Sequence, residues 1–79
     1  MQGLPRTTRL VFLPPGSRAR VISIDSGYGL RTRLLQMGLT PGAIVEIIDN
    51  TRGPVIVRVR GVTIALGRGM ASRIIVEPL

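Results

Sequence analysis

The sequence contains no cysteine, no histidine, no lysine and no tryptophan among its 79 residues. Without thiol or imidazole groups, it has no disulfide framework, no catalytic triad and none of the usual nitrogen or sulfur ligands of zinc and iron. A phosphate-binding P-loop needs a lysine, and the pair Gly27 and Gly29 is followed by Thr32 where a dinucleotide-binding loop has its third glycine. The sequence therefore predicts a protein that is not an enzyme and that holds no tight metal and no other cofactor.

Aromatic residues are nearly absent as well, since Phe12 and Tyr28 are the only two. A sheet that binds single-stranded nucleic acid generally stacks bases on aromatic side chains, which this chain cannot supply in number. The net charge of +7, from eleven arginines against four carboxylates, nevertheless favours anionic partners. Because the arginines are spread along the whole chain, a solvated basic surface is the favoured interpretation, and nucleic-acid binding is kept as the alternative.

Long apolar runs are missing too. No stretch approaches the length of a membrane span, and the apolar residues 10–13 are too few for a signal peptide and end at two prolines. We therefore expect a cytoplasmic protein. Residues 1–9 have no usable periodicity and are predicted to be a loose N-terminus, with residues 10–79 forming a single domain. Residues 10–13 fit either a short strand or an anchor laid across one end of the domain.

The clearest local pattern is a helix with a hard stop. Leu30, Leu34 and Met37 recur at helical spacing, which predicts a helix from about Leu30 to Met37. Gly38 follows where a helix often ends in the left-handed region, and the next leucine is placed to pack back onto Leu34 in a Schellman cap. Proline and glycine within residues 40–43 then predict a type II turn.

The rest of the chain is typical of short antiparallel strands. One is expected over residues 17–25, two flank a hairpin loop at residues 51–53, a fourth follows a turn at residues 61–62, and a fifth covers residues 74–77. A further tight turn, of at most one helical turn, is expected at residues 67–70. Five strands and one short helix predict a mainly β fold, a small, strongly bent antiparallel barrel.

The hairpin loop fixes a register if Gly53 is left-handed. Glu46 then faces Arg58, Ile48 faces Ile56, and the opposite face of both strands is aliphatic. After the second turn, the same reasoning sets Val59 against Ile64 and Val57 against Leu66.

Two sets of residues are candidate binding residues. Ile44, Ile48, Ile56 and Ile75 share the face of Glu46, so they either form a second buried cluster or an apolar patch for a partner, and the strong curl of a small barrel favours burial.

The second set lies in the inserted segment at residues 26–37. Tyr28, at an expected loop tip, is followed by Arg31 and Arg33, and an exposed aromatic beside arginines is a common interface anchor. The alternative is that Tyr28 folds back over the end of the barrel.

Together these motifs resemble the ferrous-iron transport protein A family (FeoA). The resemblance runs from about residue 10 to residue 77 and rests on Arg33-Leu34, Met37-Gly38-Leu39, Pro41-Gly42, Gly53-Pro54, Gly61 and Ile64-Ala65-Leu66-Gly67-Arg68. It implies an SH3-like barrel of five strands with one inserted helix. It also implies a small bacterial cytosolic protein, peripheral to the inner membrane through its partner, that assists the membrane ferrous-iron permease and its cytosolic GTP-binding domain.

The same module is similar to the C-terminal domain of metal-dependent repressors. The alternative function is therefore a small-barrel nucleic-acid-binding or transcription-regulatory module. Self-association is left open by the sequence.

Overall fold

The computed structural model describes residues 6–79. Their secondary structure comprises β1 (Thr8–Arg9), a 3₁₀ turn (Leu10–Phe12), β2 (Arg18–Ile24), α1 (Tyr28–Gln36), β3 (Ile44–Asp49), β4 (Val55–Val59), β5 (Val62–Leu66), α2 (Arg68–Ala71) and β6 (Ile74–Pro78). The strands form one antiparallel sheet in the order β1-β6-β2-β3-β4-β5. The mainly β prediction is confirmed, with six strands instead of five. Within this part of the chain, neither helix has the length and apolar character needed to cross a bilayer.

One hydrophobic core fills the inner side of the sheet. The strands are rich in valine and isoleucine, which suit a pleated, half-buried surface, and alternate residues point inward. In β4, for example, Val55, Val57 and Val59 are all at most 1 % exposed. No polar or charged side chain of residues 6–79 is buried. The alternation that predicted the strands is therefore the pattern by which this small domain excludes water.

The start of the domain differs from the prediction. Thr8 and Arg9, which were predicted to belong to the loose N-terminus, form β1 opposite Val76 and Ile75 of β6. Residues 1–5 of the predicted loose terminus lie outside the described residues. The guanidinium of Arg9 donates to the carbonyl oxygen of Ser72 at 2.8 Å, which fastens β1 in place.

The apolar residues after β1 form the predicted anchor and not a strand. Leu10 is fully buried and Leu13 is 7 % exposed, and the 3₁₀ turn between them lays the chain across the core.

Helix α1 begins two residues earlier than predicted. The structure places its first residue at Tyr28 instead of Leu30, with Gly27 as an extended N-cap that supplies no capping side chain. Tyr28 and Gly29 are exposed, so the apolar periodicity that located the helix could not detect its first turn.

The end of α1 follows the predicted geometry. Gly38 has φ +96°, its N–H donates to Leu35 O at 3.0 Å, and the N–H of Leu39 donates to Leu34 O at 3.1 Å. These are the two hydrogen bonds of a Schellman motif, and the side chains of Leu34 and Leu39 are both fully buried. The predicted stop is confirmed, with the last helical residue at Gln36 instead of Met37.

The predicted type II turn follows the stop directly. Gly42 has φ +92°, and the N–H of Ala43 donates to Thr40 O at 2.9 Å. The N–H of Gly42 also donates to Val21 O at 2.7 Å, so the turn is tied to β2.

The β3–β4 hairpin has the predicted register only on the side away from its loop. Glu46 lies opposite Arg58, with 3.6 Å between Oε1 and Nη1, and Gly53 has φ +71°. The predicted pairing of Ile48 with Ile56 is wrong, because a bulge near Ile48 sets Asp49 against Ile56. A bulge adds one residue to one strand, which a uniform alternation cannot reveal.

The β4–β5 turn is one residue earlier than predicted. Its central residues are Arg60 and Gly61, with φ +53° and +79°, so Val59 faces Val62 and Val57 faces Ile64. This is the twist of a type I′ hairpin turn. Arginine rarely takes a positive φ. Here its side chain passes over Gly38, and its Nη2 donates to Thr40 Oγ1 at 3.1 Å.

Asn50 connects three parts of the chain that the sheet itself does not join. Its amide nitrogen donates to Val11 O at 2.8 Å and to Leu13 O at 2.7 Å, and its Oδ1 accepts from Arg68 Nη1 at 2.8 Å. The 3₁₀ turn, the β3–β4 loop and α2 therefore meet on one side chain. The tight turn predicted at residues 67–70 is the short helix α2, which spans Arg68–Ala71.

We expect Gly38→Ala to destabilise the fold by roughly 1 kcal/mol or more, because alanine is strained at positive φ. A Cβ at Gly38 would find its nearest neighbour at 3.7 Å, so the cost is conformational and not steric. Gly29→Ala is the matched control, since Gly29 lies in α1 with open space around it. Urea denaturation measures both, and equal stability of the two variants would contradict the conformational argument.

We expect Asn50→Ala to lower the free energy of unfolding by roughly 1–3 kcal/mol, because two carbonyls lose their donor and the Arg68 guanidinium loses one of its two acceptors. Thr51→Ala is the control, since the Thr51 hydroxyl bonds only to the exposed Asp49 carboxylate. If both variants unfold at the wild-type denaturant concentration, Asn50 does not have the connecting role assigned to it.

Candidate functional site

Helix α1 has one face in the core and one face in solvent. Leu34 is fully buried, and Leu30 and Leu35 are partly buried against the core. Tyr28, Gly29, Arg31, Arg33 and Gln36 are exposed. Because the Schellman motif and the following turn, which is bonded to β2, fix the C-terminal end of the helix, this polar face is held at a defined position.

Tyr28 is the most exposed large apolar side chain of the described residues, at 85 % exposure. It is the first residue of α1 and not a loop tip as predicted. The interpretation in which it folds back over the barrel end is wrong, since a ring packed there would be largely buried.

Arg31 and Arg33 lie on the same short helix as Tyr28. The guanidinium of Arg31 reaches back to Ser26 O at 3.5 Å, and Arg33 lies in the last turn. Arginine near a helix C-terminus interacts favourably with the helix dipole. The structure therefore places the three predicted residues on one helix, where all of them are exposed. Arg31 lies one turn after Tyr28, whereas Arg33, two residues further, points from a different side of the helix.

A groove lies next to Arg31. Its volume is about 330 Å³, and it is lined by Ser23, Ile24, Arg31, Leu35 and Pro41. Its walls come from β2, α1 and the turn before β3. A mostly apolar groove with one guanidinium at its side can accept an apolar side chain next to an anionic group.

The ion pairs of residues 6–79 do not neutralise the positive charges of helix α1. They join Arg9 to Asp25 at 3.2 Å, Arg20 to Glu77 at 3.5 Å and Arg58 to Glu46 at 3.6 Å. All of them are substantially exposed, so each contributes little to stability. None includes Arg31 or Arg33, whose positive charges are therefore available to a partner.

The four isoleucines on the outer face do not form a second buried cluster. Ile44, Ile56 and Ile75 are partly buried, Ile48 is 38 % exposed, and none belongs to the core cluster or its packed rim. The burial interpretation is therefore wrong.

Nor does the register bring these isoleucines into one patch. The Glu46–Arg58 pair crosses β3 and β4 between Ile44 and Ile56, and β2 separates Ile75 from β3. On the outer face of β2, Arg20 stands opposite both Ile44 and Glu77. The alternation of side chains along each strand placed the isoleucines on the correct face of the sheet. It could not show that charged side chains lie between them on that face.

Sequence reasoning missed Ile22 as an exposed residue. It lies at a bulge between Val21 and Ser23, where the register of β2 against β6 shifts, and it is 37 % exposed. The loss of alternation at residues 22–24 was the available signal, and it predicted only a bend.

Metal ligands do not converge in residues 6–79, where no group of three or more Asp, Glu, His or Cys side chains is placed to hold a metal ion. Three of the four carboxylates face an arginine, and Asp49 accepts a hydrogen bond from Thr51 at 3.1 Å.

Comparison with known proteins gives a consistent family. The family model of the FeoA domain matches residues 8–78, starting at β1. A relative from Methanocaldococcus jannaschii, named as an Fe(2+) transport protein A, is 43 % identical over 68 residues, which cover 86 % of this chain and 83 % of that protein.

Solved structures agree with this family. The crystal structure of an iron uptake regulatory protein, FeoA, is 37 % identical with a TM-score of 0.89, covering 94 % of this chain and 100 % of that one. The FeoA of Stenotrophomonas maltophilia, an SH3 domain protein complexed with zinc, is 25 % identical with a TM-score of 0.80 and covers 89 % of each chain. The SH3-like fold is thereby confirmed.

We expect Tyr28→Ala to change the free energy of unfolding by no more than about 0.5 kcal/mol, because the side chain contributes little to the core. Leu34→Ala, on the buried face of the same helix, should cost about 2–5 kcal/mol. Thermal denaturation of the two variants compares the faces directly. A marked loss of stability in Tyr28→Ala would show that the side chain packs in the core, and Tyr28 would then no longer be a candidate binding residue.

Proposed function

The chain belongs to the FeoA domain family, and on this basis we propose that it serves ferrous-iron transport as a binding module without catalytic activity. The relative from M. jannaschii is named for Fe(2+) transport, and the FeoA of known structure is named for iron uptake regulation. The arrangement of the carboxylates supports binding over catalysis, because each is exposed or half-exposed and faces an arginine or a hydroxyl.

The partner in this proposal is the cytosolic GTP-binding domain of the membrane ferrous-iron permease. The contact surface is the solvent face of α1 with its adjoining groove. The observation that carries the proposal is the 85 % exposure of Tyr28 on the same helix as Arg31, one turn further along, and Arg33, neither of which has a carboxylate partner within the described chain. Aromatic and arginine side chains supply most of the energetic anchors of protein interfaces. An aromatic ring buries a large area with few rotatable bonds, and a guanidinium group offers several hydrogen-bond donors in a fixed planar arrangement.

The charge of the chain also fits this role. A net charge of +7 favours encounter with an acidic surface and makes the association rate dependent on salt. In this proposal the chain reaches the inner membrane through its partner, since its own basic surface meets an acidic face of the permease domain.

The test is binding of the purified GTP-binding domain, measured by calorimetry. We expect the double variant Tyr28→Ala, Arg31→Ala to bind at least about tenfold more weakly, because interface anchors of these types often contribute 2 kcal/mol or more. The matched control is Phe12→Ala, Arg52→Ala, which removes another exposed aromatic, 72 % exposed, and another exposed arginine. Thermal denaturation confirms that both variants are folded.

The outcomes separate the alternatives. If both double variants bind as the wild type does, the partner does not dock on α1. If the wild-type chain fails to bind the permease domain but retains a DNA or RNA oligonucleotide at moderate salt, the nucleic-acid-binding alternative replaces the transport proposal.

A further inference from the structure

The last strand of the sheet, β5, has one side without a partner. It pairs with β4 alone, whereas β2, β3, β4 and β6 each pair on two sides. Around the two-residue turn, Val62 faces Val59 and Ile64 faces Val57, and these are the hydrogen-bonded pairs of the ladder. The N–H and C=O groups of the intervening Thr63 and Ala65 therefore point away from β4.

Nothing in residues 6–79 occupies these groups. Thr63 and Ala65 are both exposed, and neither takes part in a backbone hydrogen bond to another segment of the described chain. The four outward groups, two donors and two acceptors, are thus aligned along an open edge.

β5 also lacks the features by which proteins protect such edges. A protected edge strand is generally very short or carries a charged residue or a proline. The other edge of this sheet, β1, has only two residues and one of them is Arg9. In contrast, β5 has five residues, with no charged side chain and no proline, and its two edge positions carry a threonine and an alanine.

We propose that the open edge of β5 binds an extended segment of an acidic partner protein as an added antiparallel strand. Main-chain hydrogen bonds to Thr63 and Ala65 would provide affinity that does not depend on the sequence of the added strand, as in other β-strand additions. Acidic residues at both ends of the added strand would be attracted by the positive charges of Arg60 and Arg68, which flank β5 in the chain. Within the described chain these two guanidinium groups contact only neutral groups, on Thr40, Asn50 and Gly53.

A second copy of this chain is the less suitable occupant. Two copies would pair best about Ile64, because Thr63 of one chain then faces Ala65 of the other. The same arrangement brings Arg60 of one chain toward Arg68 of the other at both ends, between two molecules of net charge +7. Like charges across a strand pair are destabilising, so charge complementarity favours an acidic segment.

The probe is a fluorescein-labelled peptide of alternating valine and threonine, five residues long, with two glutamates at each end. Fluorescence anisotropy with the full chain measures its affinity. We expect the amide protons of Thr63 and Ala65 to become at least about tenfold better protected from hydrogen exchange when the peptide is bound, because they gain acceptors. The same peptide with N-methyl groups at alternate residues, and one with arginines in place of glutamates, should each bind at least about tenfold more weakly.

The variant Ala65→Pro removes one edge donor that no described group uses, and proline is tolerated on the open side of an edge strand. We expect it to weaken peptide binding by about tenfold or more, whereas Ala65→Val, which keeps the N–H, retains it. The methylated peptide tests the complementary half of the strand pairing on the wild-type chain, because it removes the peptide N–H groups that donate to the Thr63 and Ala65 carbonyls. The test of main-chain pairing therefore does not depend on folding of the proline variant.

Three results would overturn the proposal. The glutamate-flanked peptide does not bind the wild-type chain, or it binds as tightly when N-methylated, or its binding changes exchange at α1 and leaves β5 unchanged. Sedimentation velocity tests the other candidate occupant, a second copy of this chain. A dimer that forms with rising concentration, and that Ala65→Pro abolishes, would assign the edge to a second copy instead.

Discussion

The left-handed backbone at Gly38 is the constraint on which the arrangement of this domain depends. Its φ of +96° reverses the chain after α1, and the two Schellman hydrogen bonds place Leu39 on Leu34 inside the core. The turn that follows is bonded to β2, and Arg60 of the β4–β5 turn lies over Gly38 from the other side. The position of the exposed face of α1 is therefore set by a glycine that contacts no partner itself.

The two edge strands of the sheet are not paired with each other, so the two ends of the strand order are linked by other contacts. β1 and β5 stand at opposite ends of the strand order, and no ladder joins them. Small domains have limited cores and gain from any additional link between distant segments. Here the link is the amide of Asn50, which bonds to two carbonyls 39 and 37 residues away in the sequence and to the Arg68 guanidinium. Asn50 therefore links the segment that follows β1 to the helix that follows β5, while the outer side of β5 stays unpaired.

The charges of the domain are arranged for partners more than for stability. Each of the three ion pairs in the described chain is substantially exposed and is expected to contribute at most about 1 kcal/mol. Most of the eleven arginines face solvent or bond to neutral oxygens, as Arg31 and Arg60 do. Their uncompensated field therefore acts beyond the molecule, where it raises encounter rates with acidic surfaces and selects against basic ones.

The sequence by itself determined the features that depend on a few neighbouring residues. Gly38 and Gly42 specify their backbone angles because only glycine adopts positive φ at little cost, and alternation in β3 and β4 places Glu46 opposite Arg58. The family motifs are largely these same glycines and aliphatics, which is why the fold and the family were predictable together.

Only the tertiary structure decided the features that depend on contacts between distant segments. The Arg60 side chain in the β4–β5 turn contacts Gly38 and Thr40, and the four outer isoleucines do not form one patch because the Glu46–Arg58 pair and strand β2 lie among them. The exposure of Tyr28 follows the same rule, since the helix pattern records which residues must be buried and is silent about those that need not be. Local backbone preference is a property of a short stretch of sequence, whereas exposure, bulges and free strand edges depend on which segments meet.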